Sequence, residues 1–278
     1  MSLLTEHHLR IGDRALTLLH GAGGWGEYSP LTGYPCDPAA CRRAAEEAAR
    51  DGFPPALRTE IPVNTLVDGA FVIAEVRRFP AVKVKVRTAA DVSIVAAVRD
   101  AVDPSTAVRA DANGAWDVDT AVSMIAMLAR YDVQYVEQPV ESIDDLARVR
   151  RRVQVPVAAD ECIRTIDDAR RLHALGAADV IVLKQQPLGG VRAALDIAEA
   201  ARVPAVVSSM METSVGIAAG LALAAALPEL PYACGLATAS VIGGDVTVSP
   251  LVPVDGRLPV RAVEPDPELL VRYQDATS

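Results

Sequence analysis

From residue 61 onward, short runs of β-branched residues recur at a nearly constant interval, and this rhythm constrains the fold more than any other feature of the chain. The runs are IPVNTLV (61–67), AVKVKV (81–86), TAVRAD (106–111), VQYVE (133–137), VPVAAD (155–160), DVIVLK (179–184), VPAVVSS (203–209) and PYACGL (231–236). Between them lie segments with helical periodicity, such as DVSIVAAVRDAV, DTAVSMIAMLARY, SIDDLARVRRRV and TIDDARRLHALG. Several open on Asp, Ser or Thr, side chains that accept from the free N–H groups of a first helical turn. Strands alternating with helices make parallel βα units. The last polar residues of successive runs, Lys85, Asp111, Glu137, Asp160, Lys184 and Ser208, follow one another every 23 to 26 residues. So even a repeat points to an α/β fold with a closed (β/α) barrel rather than an open sheet. Eight strands are expected, with a brief first helix in GAFVIAEVRRF and the barrel spanning residues 57–250.

The first 56 residues read differently: an extended LRIGDRALTLL segment, a glycine-rich GAGGWGEYSP loop and a helix in DPAACRRAAEEAARDG. A small, abbreviated α+β cap is expected there, with the Pro-rich tail (251–278) returning to it. The glycine-rich stretch lacks the strand and helix order of a nucleotide-binding loop.

Charge excludes whole classes of partner. With 27 basic and 36 acidic residues the net charge is −9, which leaves no basic footprint for nucleic acid or an anionic membrane surface. The longest apolar stretch, Val215 to Leu227, falls short of the ~20 residues of a membrane span and is read as a buried helix. The N-terminus shows no basic and then apolar leader pattern, so a cytoplasmic location is expected. Four cysteines (Cys36, Cys41, Cys162, Cys234) without a CxxC pair are too sparse for a disulfide framework and are read as reduced thiols.

The chemistry of such a barrel gathers where strands end. Asp111, Glu137 and Asp160 terminate three consecutive apolar strands. Unpaired carboxylates held together repel, and a bound cation relieves them. Hard oxygen ligands suit Mg²⁺, with Mn²⁺ as a substitute. Each acid taken alone could instead cap the following helix. The lysines sharpen the reading. Of the 27 basic residues only three are lysine, Lys83, Lys85 and Lys184, and all three fall at predicted strand ends. Arginine serves wherever a permanent cation suffices, but only lysine can be driven toward neutrality and act as a base. A bias toward Arg accounts for the scarcity of lysine but not for its placement. In V-K-V-K, Lys83 and Lys85 share one strand face, and Lys184 approaches from four strands away. Two amines facing each other across a metal-bound carboxylate are arranged for proton removal at the adjacent carbon.

In order along the chain, G-W-G-E (24–27), P-V-N (62–64), K-V-K (83–85), R-A-D-A-N-G-A-W (109–116), Y-V-E-Q-P (135–139), A-A-D-E (158–161) and V-L-K-Q (182–185) resemble the enolase superfamily, in its muconate-lactonizing branch with K-x-K on the second barrel strand. The resemblance implies Asp111, Glu137 and Asp160 as metal ligands, Lys85 and Lys184 as the acid/base pair, and Lys83 as an electrostatic neighbour of Lys85. It also implies a small anionic carboxylate substrate. The branch that uses a barrel His-Asp dyad is excluded, because His7, His8 and His20 lie in the cap and His173 in a predicted helix. S-S-M-M-E-T-S-V-G (208–216) and G-L-A-T (235–238), followed by Asp245, look most like the o-succinylbenzoate synthase family. That family dehydrates 2-succinyl-6-hydroxy-2,4-cyclohexadiene-1-carboxylate in menaquinone biosynthesis. Asn113, Ser208 and Gly235 would then line the substrate pocket, with Arg109 close behind. Each has a plain alternative: Asn113-Gly114 as a turn, Ser208 as a helix cap, Arg109 as the partner of an acid. The short region before residue 80 leaves the cap's contacts, including Trp25 and Glu27, unassigned.

Other activities remain open at this stage. N-succinylamino-acid racemisation would use the same lysines and metal. Dipeptide epimerisation would need an acid on the last strand, which Cys234-Gly235-Leu236 lacks. A Schiff-base aldolase leaves the three acids unexplained, and a non-catalytic binding barrel predicts no need for lysine at its mouth.

Overall fold

The computed structural model describes residues 3–275. It begins with an antiparallel sheet of β1 (Thr5–Ile11), β2 (Arg14–Gly21) and β3 (Gly24–Tyr28), against which helix α1 (Pro38–Asp51) packs. Asp37 caps α1 by accepting from Ala39 N, and Pro38 takes a first-turn position where its missing N–H goes unneeded. The GAGGWGEYSP stretch, expected as a loop, turns only at residues 22–23 and then enters β3. A Cβ on Gly26 would lie 2.0 Å from Ala45 O, so its glycines serve close packing on α1 as well as turning.

The barrel follows as β4 (Glu60–Pro62), β5 (Asn64–Val67), α2 (Ile73–Val76), β6 (Ala81–Lys85), α3 (Val92–Ala101), β7 (Ala107–Asp111), α4 (Val118–Leu128) and β8 (Val133–Glu137). It continues with α5 (Ile143–Arg150), β9 (Val157–Ala159), α6 (Ile166–Leu175), β10 (Val180–Leu183), α7 (Val191–Ala201), β11 (Ala205–Val207) and α8 (Ser214–Ala226). Strands β5 to β11 pair in parallel, each with its sequence neighbours. Their side chains are buried on both faces, as in VIVL of β10, because alternate residues point into the barrel and out under the helices.

The eighth expected strand, 231–236, is not a strand. It closes the barrel through single parallel bridges, Val63 to Cys234 and Ser208 to Gly235. Cys234 N donates to Pro62 O at 2.7 Å and Gly235 N to Val207 O at 2.8 Å. Pro231 has no N–H to lengthen the ladder. A Cβ on Gly235 would meet Ser208 Oγ at 2.6 Å, so the two segments touch too closely for a side chain.

Helix α8 is apolar all round and almost wholly buried, as expected for Val215 to Leu227, because β3 of the N-terminal sheet covers the face the barrel leaves open. The tail divides. Strand β12 (Arg257–Pro259) pairs with β4 at the barrel, and after α9 (Pro267–Arg272) the chain returns to β1, where Arg10 N donates to Tyr273 O at 2.8 Å. Among the described residues no helix is long and apolar enough to cross a membrane.

Candidate active site

Strand register brings the ionisable residues into one layer. Lys85 pairs with Asp111 across β6 and β7, and Asp111 with Glu137 across β7 and β8. Asp160 follows β9, and Lys184 follows β10. Side chains at equivalent strand ends point to the same mouth. A one-residue slip in any strand would turn its acid outward under the helices.

The three lysines and three acids meet there. Lys83 Nζ lies 2.9 Å from Asp111 Oδ2 and 2.8 Å from Glu137 Oε1. Lys85 Nζ is 2.7 Å from the same Asp111 oxygen and donates to Asn113 Oδ1 at 2.6 Å. Lys184 Nζ pairs with Asp160 Oδ2. Lys83 and Lys85 thus approach from one side and Lys184 from the other. The cleft they share is also lined by Asn64, Leu66, Glu161, Ser208, Ser209, Met210, Met211, Gly235 and Thr238.

Burial sets the charges. It works against the Lys83 ammonium, but Asp111, Glu137 and Asp160 outweigh it and hold the amine well above the ordinary lysine range. Burial likewise opposes the Lys184 charge and is overcome by Asp160 and Glu161, so that amine too stays cationic. Glu137 is pushed up to about 8, by burial and then by the Asp111 charge. Glu161 is raised by burial and Asp160, and its Oε2 is buried without a hydrogen-bond partner.

As the side chains stand, no group of three or more His, Cys, Asp or Glu among the described residues is arranged to hold a metal ion. Lys83 Nζ lies between Asp111 and Glu137 and supplies countercharge there. The donor set nevertheless fits a hard divalent cation: three buried carboxyl groups on adjacent strands and an orphaned oxygen on Glu161.

Among the expected pocket residues, Asn113, Ser208 and Gly235 line the cleft. Asn113 does form a turn, at φ 48° ahead of Gly114, and its side chain also joins Lys85 to Glu161. Ser208 does not cap α8, since Thr213 accepts from Val215 N. Arg109 does not reach the cleft. It is 1% exposed, donates to Gln134, Asn64 and Ala233 O, and lies 4.9 Å and 5.8 Å from the ring centroids of Tyr135 and Tyr232. It forms the barrel floor behind Asn64.

Tyr34 went unassigned in the sequence. Carried by the segment between β3 and α1, its hydroxyl donates to Asp160 Oδ1 at 3.0 Å and its ring lies 4.3 Å from Lys184 Nζ. Burial and the Asp160 charge raise its phenol well above the usual range, which keeps it a donor. Glu161, next to a predicted ligand in A-A-D-E, carried a visible signal; Tyr34, 126 residues from its partner, carried none.

The family profile described as Enolase C-terminal domain-like matches residues 68–266. An o-succinylbenzoate synthase of Thermobifida fusca is 53% identical over 92% of this chain and 84% of that protein. One of Mycolicibacterium smegmatis is 46% identical over 92% of this chain and 83% of that protein. Among solved structures, muconate lactonizing enzyme from Klebsiella pneumoniae superposes with a TM-score of 0.85 at 21% identity, covering 98% of both chains. Muconate cycloisomerase from Pseudomonas fluorescens gives 0.83 at 22%, again over 98% of both.

Proposed function

The chain belongs to the o-succinylbenzoate synthase family of the enolase superfamily, and on that premise we propose that it dehydrates 2-succinyl-6-hydroxy-2,4-cyclohexadiene-1-carboxylate to 2-succinylbenzoate. The observation that carries this reading is the meeting of the chain's only three lysines with three buried carboxyl groups at the strand-end mouth of the barrel.

Asp111, Glu137 and Asp160 would hold Mg²⁺, which offsets the negative charge that develops on the substrate carboxylate as its α-proton leaves. Lys85 takes the α-proton on its face of the substrate. The Cα–H pair becomes the new ring double bond, the C–O bond of the hydroxyl breaks, and the same amine returns its proton to the departing oxygen as water. One base serving both ends of the step gives a syn elimination and leaves the lysine as it began. Lys83, held cationic by Asp111 and Glu137, stands beside Lys85 on the same strand face and shares its Asp111 oxygen. Lys184, held cationic on the opposite wall, faces the developing enediolate and stabilises it by charge alone. Tyr34 and Asp160 fix the Lys184 amine. Asn113 orients Lys85.

The test is ultraviolet loss of the diene by the purified protein with Mg²⁺, beside Lys85→Arg and Lys184→Arg. Turnover that vanishes with chelator, returns with Mg²⁺ and drops at least ~10³-fold in Lys85→Arg is expected, because arginine cannot deprotonate. Absence of turnover with slow α-deuterium exchange into N-succinylamino acids would keep the family and overturn the substrate.

A further inference from the structure

Glu27, from the G-W-G-E stretch, stands apart from this chemistry yet is among the most fully bonded side chains in the molecule. It is 3% exposed and comes from β3, but three of its four hydrogen bonds reach the barrel. Thr213 N donates to Oε1 at 3.2 Å, Thr213 Oγ1 to Oε2 at 2.5 Å and Gly216 N to Oε2 at 3.0 Å. The fourth comes from Ser29 Oγ at 2.7 Å. Thr213 and Gly216 begin α8, so a carboxylate of the N-terminal sheet supplies part of the cap of a barrel helix, where negative charge is favoured. Gly216 must be glycine for this approach, since a Cβ there would be 2.4 Å from Glu212 Cβ and 3.1 Å from Glu27 Oε2.

The same network holds two walls of the cleft. Glu212, also buried, accepts from Met210 N at 2.6 Å and from Gln186 Nε2 at 3.1 Å. Gln186 Oε1 accepts from Ser29 N at 2.9 Å. Arg14 Nη2 donates to Ser29 O at 2.7 Å and to Met210 O at 3.3 Å. Met210 and Met211 line the cleft, as do Leu31 and Tyr34 beyond Ser29. Met211 sits at φ 58°, a left-handed conformation that costs a side-chain-bearing residue on the order of 1 kcal/mol or more and persists only where its surroundings dictate it.

We infer that Glu27 is a positioning residue: by capping α8 from the N-terminal sheet it fixes the Met210–Met211 wall and the Tyr34 segment over the cleft, and so sets how well substrate is held. The inference rests on reading that cleft as the active site. It assigns Glu27 no contact with substrate. Glutamine is the informative replacement. It has one acceptor oxygen where the carboxylate has two, and its NH₂ would face Gly216 N–H, which cannot accept.

The test compares wild type with Glu27→Gln, and with Glu212→Gln should the first not fold. Two readouts are taken: kcat and KM for the diene carboxylate, and amide hydrogen exchange at Ser29, Met210, Thr213 and Gly216. A rise in KM of about tenfold with kcat within about threefold is expected, since the displaced walls hold substrate while Lys85 keeps its partners. Exchange at Thr213 and Gly216 should quicken at least ~10-fold. A folded variant with unchanged KM and unchanged exchange overturns the inference. Should wild type show no turnover, the proposed reaction fails, and exchange alone still decides: faster at these amides in the variant supports the latch, and equal rates overturn it.

Discussion

The Glu27–Glu212 junction makes a quantitative prediction about stability and pH. Glu27 is raised from 4.5 to about 7, first by burial and then by the Glu212 charge, against the pull of Thr213, Ser29 and Gly216. The donors facing it are neutral, and the Arg14 guanidinium bonds the carbonyl oxygens of Ser29 and Met210 instead. The folded chain therefore binds this proton more tightly than the unfolded one. Stability from this group is fully present below pH ~4.5 and is lost as the pH climbs through about 7. At ~1.4 kcal/mol for each tenfold in proton affinity, the loss is about 3 kcal/mol. Glu27→Gln removes the titration at a cost of ~1 kcal/mol for weakened hydrogen bonds. The variant should thus be slightly less stable than wild type at pH 5 and more stable by ~2 kcal/mol at pH 8. Urea unfolding of both proteins at the two pH values reads this directly, because titrating groups that do not interact with Glu27 cancel in the difference. A destabilisation equal at both values, or growing with pH, would refute the reasoning, since it would mean that Thr213, Ser29 and Gly216 hold the carboxylate ionised. A variant that is tougher at pH 8 yet binds substrate less well would separate holding the fold together from shaping the cleft.

Two further outcomes follow from geometry. Tyr34→Phe keeps the ring over Lys184 and loses the hydrogen bond to Asp160, whereas Tyr34→Leu loses both; kcat/KM should fall about fivefold in the first and a further ~3-fold or more in the second. Arg109→Leu leaves buried Asn64 and Ala233 O, and half-buried Gln134, short of partners, so thermal denaturation should show a loss of ~2–4 kcal/mol, while the KM of the folded fraction stays close to wild type.

What could be read from the sequence follows from which contacts are periodic. Lys85, Asp111, Glu137, Asp160 and Lys184 converge because a barrel repeats one unit, and a residue at a strand's end is carried to the mouth wherever the strand stands. The spacing of those residues thus encoded a three-dimensional layer. The eighth strand shows where the logic thins. Its apolar run looked like the others, but Pro231 and the close contact of Gly235 with Ser208 reduced it to bridges. Arg109 matched the inward alternation and still fell one layer too deep, because its partners are the floor tyrosines rather than the mouth. Tyr34 and Glu27 were illegible for a different reason. Each meets barrel partners more than a hundred residues away, and no local pattern records such a meeting.

The seam at residues 231–236 gives the cleft two kinds of wall. On one side, Lys83, Lys85 and Asp111 are riveted by the unbroken β6–β7 ladder, and Glu137 is paired with Asp111 at the end of the β7–β8 ladder. On the other, Ser208 and Gly235 meet through one bridge, and such a contact opens at far less cost than a ladder. Proton chemistry tolerates little displacement, while gripping differently shaped molecules rewards some give. On the proposed reading, Lys83 and Lys85 stand on the stiff wall and the rest of the substrate would lie against the loosely stitched one, which can give without moving them.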